Sequence, residues 1–368
     1  MAKGVLQDSS ELRLAETCCK SKPLCFQTFA YQKTHPAKAF KGSRDADATL
    51  EAPLILGVAD GISQVEDFGI DSSALPNELL GKCEELGMCQ LMPESTGALR
   101  GDYQGLIPLV REAFQSSESL GSTTLALAVL DNVTRMHGEL RPTIAVISVG
   151  DCEVVVLRRT EGRMSPFRPV FHTEIQRLNG HAQTPLQLVR VDERIDPCFH
   201  EGITVDVIEK RSAVHCIAAQ EGDLLVLGSD GVFDNLFIKE VADLCNATLP
   251  PSLESVQEAC LGRLAKGIVE ASHAKTCPGP GGQQAVAPIG IGGKVDDTAC
   301  VVAEVVPWTE ERGAAWAGPC EQAVSRKLWW RNAWWWELFA CGASCRGSAD
   351  VSADVCCDDE AIFVEVQA

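Results

Sequence analysis

Hydrophobic positions between about residue 45 and residue 306 fall into short, β-branched runs and longer stretches with helical spacing. The short runs are continuous rather than alternating, which is typical of strands buried on both faces. We therefore predict that the strands of this chain lie between other layers. The predicted strands cover residues 53–59, 122–130, 143–149, 153–157, 223–228 and 298–305.

Two stretches have the spacing of amphipathic helices. The first covers residues 106–117, and the second covers 253–274, where an apolar residue recurs at every fourth position and Ser252 is the expected N-cap. Residues 277–294 are rich in glycine and proline and are predicted to form a loop. Because strands and helices do not strictly alternate, the pattern favours an α+β fold with antiparallel sheets covered by helices.

Composition and pattern divide the chain of 368 residues into three parts. We predict an N-terminal extension over residues 1–26, a folded domain over 27–306 and a C-terminal tail over 307–368. Hydrophobic residues make up 45% of the chain and charged residues 23%, which excludes collagen, coiled coil and wholesale disorder. No apolar run approaches the roughly 18 residues of a membrane span, so no transmembrane segment is expected.

The charge of the chain is strongly acidic and unevenly distributed. The formal net charge is −19, which argues against a nucleic-acid partner because phosphate binding needs clustered Lys and Arg. Residues 1–44 are basic by contrast, with eight basic and three acidic residues. This segment is either a simple extension or a mitochondrial or plastid targeting leader. The acidic remainder either serves solubility or holds multivalent cations.

The cysteines indicate reduced thiols rather than a disulfide framework. The chain has 17 cysteines, most of them single residues in apolar stretches, and no Cys-x-x-Cys pair. We therefore expect an intracellular protein, with the cytoplasm as the first compartment and the mitochondrion or plastid as alternatives.

Acidic residues beside the predicted strands are the candidate metal-binding residues. Asp60-Gly61 and Asp230-Gly231 each follow a buried strand, and Asp296 precedes one. Strand ends converge at one edge of a sheet, and carboxylates gathered there repel each other unless hard cations bind between them. Oxygen ligands favour Mg²⁺ or Mn²⁺ over Zn²⁺. Asp151 follows Gly150 between two strands, where a simple hairpin-turn role stays open.

These motifs stand in an order that resembles the metal-dependent protein phosphatases of type 2C, the PPM family. The resemblance covers about residues 27–306 and includes Gly121-Ser-Thr123 and Lys294-Val-Asp-Asp-Thr298. Residues 69–73, 174–179 and 184–188 are similar to the Ptc7-like branch of that family. The resemblance implies a sandwich of two antiparallel β-sheets flanked by helices, with the active site at one end.

The resemblance also implies the activity and the site. It implies a serine/threonine protein phosphatase in which water activated by two Mg²⁺ or Mn²⁺ ions attacks a phosphoprotein substrate, with no side-chain nucleophile. Asp60, Asp230 and Asp296 are the candidate catalytic residues. The implied metal set adds the carbonyl of Gly61, Asp45 acting through water, and Asp151 at a third, weaker ion; the full set is Asp45, Asp60, Gly61, Asp151, Asp230 and Asp296.

Two departures from the family pattern leave alternatives open. Ile62 stands where many members have a histidine after the first Asp-Gly, so the leaving group needs another proton source, such as water or His172. Arg44-Asp45 replaces the early Glu-Asp pair. Arg44 or Lys41 is then either a phosphate contact or a solvated cation. These departures favour the alternative of a catalytically weak, phosphatase-like regulatory or binding protein, and hydrolysis of a small phosphoester is a third possibility.

The tail contains all seven tryptophans of the chain. Residues 327–340 do not place them in one narrow stripe of a helix. Three alternatives remain: packing on the folded body, docking of a partner, and peripheral adsorption to a membrane surface.

Overall fold

The computed structural model of the chain describes residues 23–42, 44–92, 103–133, 135–136, 139–159, 164–178, 184–249, 251–252 and 255–311. Its strands are β1 (Leu24–Lys33), β2 (Asp47–Glu51), β3 (Ile55–Asp60), β4 (Gly121–Thr123), β5 (Leu125–Asp131), β6 (Arg135–Met136), β7 (Glu139–Leu140), β8 (Thr143–Val149), β9 (Glu153–Arg158), β10 (Arg168–His172), β11 (Leu188–Arg190), β12 (Ala213–Ala218), β13 (Leu224–Gly228), β14 (Val286–Ala287), β15 (Gly290–Ile291) and β16 (Thr298–Pro307). Its α-helices are α1 (Pro36–Phe40), α2 (Ala74–Leu91), α3 (Leu106–Gln115), α4 (Glu201–Lys210), α5 (Asp230–Phe233), α6 (Ile238–Thr248) and α7 (Glu258–Lys275).

Two five-stranded antiparallel sheets form the centre of the fold. The strand order is β1-β16-β13-β9-β10 in one sheet and β12-β8-β5-β3-β2 in the other. Helix α2 lies against β2 and β3, and helix α7 lies against β1 and β16. The predicted α+β class, with two antiparallel sheets flanked by helices, is confirmed.

Burial on both sheet faces explains the continuous apolar runs. In β13, Leu225 and Leu227 join the core between the sheets, whereas Leu224 and Val226 join a second core with helices α6 and α7. Successive side chains of a strand point to opposite faces, so both parities must be apolar here. The prediction that these strands lie between layers is therefore confirmed.

Some boundaries differ from the sequence predictions. The predicted strand over 122–130 is divided at Thr124, whose backbone N–H donates to the carbonyl of Asp60. Helix α7 begins at Glu258 with Gln257 at its N-cap position, so the predicted start with Ser252 as N-cap is wrong. The backbone at Val256 is held outside the helix because its N–H donates to Glu304 and its carbonyl accepts from Gln27.

The ends of the described region lie next to each other. Strand β1, which the hydrophobic pattern did not predict, pairs along its whole length with β16, from Leu24 opposite Pro307 to Lys33 opposite Thr298. Trp308 donates its backbone N–H to Pro23 and packs partly against the core. The fold therefore extends beyond the predicted limits of 27 and 306 on both sides. The other six tryptophans and residues 327–340, for which packing, docking and membrane adsorption were the alternatives, lie outside the described residues.

One end of the sandwich collects the chemically interesting residues. Strand β3 ends at Asp60, β2 begins at Asp47, and α5 begins at Asp230 directly after β13. Strand β16 begins just after Asp297, and the turn between β8 and β9 carries Asp151. Within the described part of the chain, no helix combines the length and apolar character needed to cross a bilayer.

Candidate metal centre

Two Asp-Gly pairs anchor the centre, and their glycines are required by close backbone packing. A Cβ atom on Gly61 would lie 2.1 Å from the carbonyl oxygen of Ser72. A Cβ atom on Gly231 would lie 2.0 Å from the carbonyl oxygen of Asp297. Both distances are far inside van der Waals contact, so only glycine lets these segments approach. The second contact brings Asp297 and its neighbour Asp296 beside Asp230.

Asp47 is a member of the centre that the sequence analysis missed. It lies opposite Asp60 in the register of β2 and β3 and is 2% exposed. The hydroxyl of Ser229, next to Asp230, donates to Asp47 Oδ2 at 2.8 Å. Asp45, the predicted acid, is only partly buried and accepts the backbone N–H of Asp47. The alternation Asp45-Ala-Asp-Ala was the available signal, but it does not say which acid faces Asp60.

Lys294 lies between the carboxylates of the centre. Its Nζ contacts Asp230 Oδ2, lies 2.9 Å from Asp296 Oδ2 and lies 3.5 Å from Asp234 Oδ2. The backbone at Lys294 is fixed by Asn235, which accepts its N–H and donates to its carbonyl. The lysine belongs to the Lys294-Val-Asp-Asp motif, but its position in the centre was not predicted.

Lys38 reaches the centre from helix α1 and contacts two further carboxylate oxygens there. Its Nζ lies 2.9 Å from Asp296 Oδ1 and 2.8 Å from Asp297 Oδ2. Lys38 lies on the five-residue helix α1, where the side chain of His35 accepts the N–H of Ala37. Both carboxylate oxygens of Asp296 therefore contact an ammonium group.

The turn after β8 places Asp151 near Asp230. Asp151 is 5% exposed, and its charge raises the pKa of Asp230. Gln176, from the branch motif over 174–179, fixes this turn because its side chain accepts the N–H of Gly150 and its backbone N–H donates to the carbonyl of Gly150. Its neighbour Arg177 lies 3.5 Å from Asp234. The turn is thus part of the centre. The alternative of a simple hairpin turn is wrong, because β8 and β9 belong to different sheets and the turn carries the chain from one sheet to the other.

Burial and mutual repulsion raise the pKa of most carboxyl groups in the centre. Burial is the largest cause for Asp230, whose pKa rises to about 7, and for Asp151, whose pKa rises to about 6. Burial, followed by the charge of Asp230, raises the pKa of Asp60 well above its ordinary value. Burial also raises the pKa of Asp47, followed by the charge of Asp45.

Asp296 is the exception to this trend. Burial raises its pKa, but the ammonium groups of Lys294 and Lys38 outweigh burial and hold the pKa below its ordinary value. Burial lowers the pKa of both lysines, but nearby carboxylates outweigh it. Asp230 and Asp296 raise the pKa of Lys294, and Asp296 and Asp297 raise the pKa of Lys38. The two lysines therefore remain cationic throughout the physiological range.

The oxygen donors of the centre are of the chemical type that hard cations prefer. Among the described residues, four aspartates of the centre each have a buried carboxylate oxygen without a hydrogen-bond partner: Asp47, Asp151, Asp230 and Asp297. Buried charged oxygens without partners are costly, and a divalent ion would satisfy them. No three acidic, histidine or cysteine side chains of the described residues converge at metal-ligating distance. Lys38 and Lys294 lie between the carboxylates instead.

The remaining candidate residues of the sequence are exposed to solvent or form other contacts. Arg44 is 79% exposed and lies 3.5 Å from Asp71. Lys41 is exposed at the end of α1, and His172 is exposed on β10, with its Nδ1 2.9 Å from the carbonyl oxygen of Thr173. Ile62 donates its backbone N–H to Ser122. Among the described residues, Lys38, Lys294 and Arg177 form ion pairs with acidic side chains of this region, and none of the three was predicted as a site residue.

Comparison with known proteins places the chain beside the type 2C phosphatases. It is 26% identical over 310 residues to "Probable protein phosphatase 2C 55" of Arabidopsis thaliana, covering 83% of this chain. It is 28% identical over 227 residues to "Protein phosphatase PTC7 homolog" of Xenopus laevis, covering 60% of this chain. No family model matches the chain. The resemblance to type 2C phosphatases, with Ptc7 homologues among the relatives, is confirmed.

A solved structure supports the fold independently. The "photosystem II phosphatase PBCP" superposes with a TM-score of 0.54 at 21% identity, covering 77% of this chain and 100% of that chain. The curated relatives are longer than the matched region. The chain spans 57% of the length of the Arabidopsis relative and 64% of the Xenopus relative.

Proposed function

We propose that this chain is a divalent-metal-dependent phosphatase that hydrolyses phosphoserine and phosphothreonine in proteins. The observation that carries the proposal is the cluster of acidic side chains at one end of the sandwich, several with buried carboxylate oxygens lacking a hydrogen-bond partner. Among the relatives, the names of those from Arabidopsis and Xenopus support a protein phosphatase. An all-oxygen donor set supports Mg²⁺ or Mn²⁺.

The aspartates have distinct proposed roles. Asp60, Asp230 and Asp296 would hold two metal ions together with the carbonyl of Gly61. Asp45 and Asp47 would act through water. Asp151 would belong to a third, weaker ion, and its proximity to Asp230 supports this assignment.

A pair of divalent ions, when bound, supplies hydroxide from water and neutralises charge on the phosphoryl oxygens. The fold of the chain positions these ligands. Asp60 ends its strand opposite Asp47, and the absence of a side chain at Gly61 lets the backbone of Ser72 pack directly against Gly61. Ile62 has no proton to give, so the leaving group takes its proton from water.

The direct test is hydrolysis of p-nitrophenyl phosphate by the full chain with Mn²⁺ or Mg²⁺, repeated with EDTA. Phosphoserine, phosphothreonine and phosphotyrosine peptides then test the substrate class. Asp60→Asn is the inactive variant, and Asp243→Asn is its matched control because Asp243 is exposed on α6. The proposal predicts metal-dependent turnover that Asp60→Asn removes and Asp243→Asn keeps. Wild-type turnover no higher than that of Asp60→Asn would refute it.

A second candidate is a phosphatase-like regulatory or binding protein without turnover. Two observations favour it: ammonium groups lie among the carboxylates, and Ile62 stands where many members of the family have a histidine. This candidate predicts binding of phosphopeptides without release of phosphate. Phosphate release and peptide binding, measured on the same preparation, separate the two candidates.

A further inference from the structure

The two lysines of the centre occupy the positions of counter-cations. Lys294 Nζ contacts Asp230 and lies 2.9 Å from Asp296, while Lys38 Nζ lies 2.8 Å from Asp297. Their side chains are 32% and 23% exposed, so both ammonium groups are largely withdrawn from solvent. The chain thus carries its own cations within the cluster where divalent ions are proposed to bind.

The backbone of Lys294 is fixed in place, whereas its ammonium group lies at the end of a flexible side chain. Its backbone is fixed at 2.7 Å and 3.0 Å by hydrogen bonds with Asn235. Its ammonium group is attached only through a flexible four-carbon stem. The ammonium can therefore leave the carboxylates by side-chain rotation, while the loop that carries Asp296 stays in place.

We propose that Lys294 is a tethered cation that competes with a divalent metal ion for the carboxylate oxygens of Asp230 and Asp296, and so lowers the metal affinity of the centre. The inference rests on the metal site of the proposed function, but not on turnover. A tethered group has a high effective concentration at its own site, so a free ion binds only after displacing it. Without metal, the same ammonium reduces repulsion among the aspartates.

The test uses metal-stripped full-length protein and the variant Lys294→Met, which keeps the length of the side chain but removes its charge. Mn²⁺ binding is measured by calorimetry at pH 8, and thermal unfolding is measured without metal. We expect the Kd for Mn²⁺ to fall about tenfold, as expected when a partly buried charge is removed from beside a cation site. We also expect the metal-free Tm to fall. Lys239→Met, at an 89% exposed lysine on α6, is the matched control and should change neither value.

Lys294→Arg separates charge from packing. It keeps the positive charge, so its Mn²⁺ affinity should stay close to wild type. A purely structural lysine predicts a lower Tm for Lys294→Met with unchanged or weaker Mn²⁺ binding, and that result would overturn the proposal. Equal tightening in the Arg and Met variants would also overturn it.

The measurement does not depend on a stable metal-free variant. If metal-free Lys294→Met does not stay folded, it can be purified with Mn²⁺ and its affinity obtained by competition with a chelator. Tighter binding by the variant in a protein that releases no phosphate would support this inference while refuting the phosphatase proposal. Absence of Mn²⁺ binding in both wild type and variant would overturn the inference.

Discussion

Asp47 and Asp60 face each other across the antiparallel pair of β2 and β3, one at the start of its strand and the other at the end of its own. Burial and nearby negative charges raise the pKa of both carboxyl groups. Asp47 is stabilised by one hydrogen bond from Ser229, while its Oδ1 has no partner among the described residues. This pairing makes Asp47, rather than Asp45, the closer support for Asp60.

Asp47→Asn should therefore weaken the centre more than Asp45→Asn. We expect Asp47→Asn to reduce Mn²⁺ affinity or turnover by about 10–100-fold, the range for residues that support metal ligands. Asp45→Asn should have a smaller effect because Asp45 is more exposed and contacts the backbone of Asp47. Calorimetry with Mn²⁺ and hydrolysis of p-nitrophenyl phosphate measure both. A larger loss in Asp45→Asn would show that Asp45, rather than Asp47, is the main support for Asp60.

Substitution of the proposed direct ligands should separate activity from stability. Asp60→Asn and Asp230→Asn should each remove nearly all metal-dependent turnover. Each should also raise the metal-free Tm at pH 8, because ionised carboxylates in the cluster repel each other. Circular dichroism confirms folding, and thermal unfolding gives the Tm. Wild-type activity with unchanged metal dependence in either variant would show that the site has been assigned wrongly.

The raised pKa values predict how metal-free stability depends on pH. Asp230 has a pKa of about 7 in the folded protein and an ordinary value of 3.8, so the folded state binds more protons between these limits. This contribution is fully present below about pH 4 and is lost as the pH rises through 7. Asp151 acts in the same direction up to about pH 6.

We accordingly expect the metal-free Tm to fall between about pH 4 and 7, and Asp230→Asn to flatten that fall. Saturating Mn²⁺ should oppose the decrease because metal binding favours the ionised carboxylates. Thermal scans at half-unit pH steps, with and without Mn²⁺, give both curves. A metal-free Tm that rises steadily from pH 4 to 7 would contradict this electrostatic account.

The acidic cluster was predictable in part because its members mark strand ends. Asp60 and Asp230 follow continuous apolar runs, and both parities of those runs are buried in the fold. The choice between Asp45 and Asp47 was not predictable, since it depends on the register of β2 against β3. Lys38 gave no local signal: it contacts Asp297 across 259 residues of sequence. Such long-range contacts form only when the two sheets have packed together, so a local sequence pattern cannot indicate them.

Thiol reactivity tests the state of the cysteines. The ten cysteines among the described residues carry thiols rather than disulfides, and five of these cysteines are buried. Burial raises the pKa of Cys83, Cys245 and Cys300, which keeps these thiols protonated and unreactive. A thiol reagent should therefore label exposed Cys198 and Cys277 in the native protein and spare the buried three. After denaturation without reductant, close to 17 thiols should react. Recovery of intact disulfides from protein made in its native compartment would refute the intracellular prediction.

The C-terminal boundary can be tested with two truncations. Strand β16 pairs through Pro307 with Leu24, and Trp308 adds a backbone hydrogen bond to Pro23 and partial packing on the core. Residues 1–311 should therefore keep the Tm of the full chain and its metal-dependent turnover, since none of the proposed ligands lies beyond Asp297. Residues 1–306 lose Pro307 and Trp308. Partial burial of such a side chain contributes about 1–2 kcal/mol, which corresponds to a Tm lower by about 2–6 °C in a domain of this size.

The solubility of residues 1–311 distinguishes the possible roles of the tail. If the tail beyond residue 311 covers the body, residues 1–311 should aggregate because an apolar patch becomes exposed. If the tail serves a partner or a membrane surface, residues 1–311 should stay soluble and active on p-nitrophenyl phosphate. Light scattering and thermal unfolding of both truncations beside the full chain decide between these outcomes. Equal stability of residues 1–306 and 1–311 would show that Trp308 contributes nothing to the fold, contrary to its contact with the core.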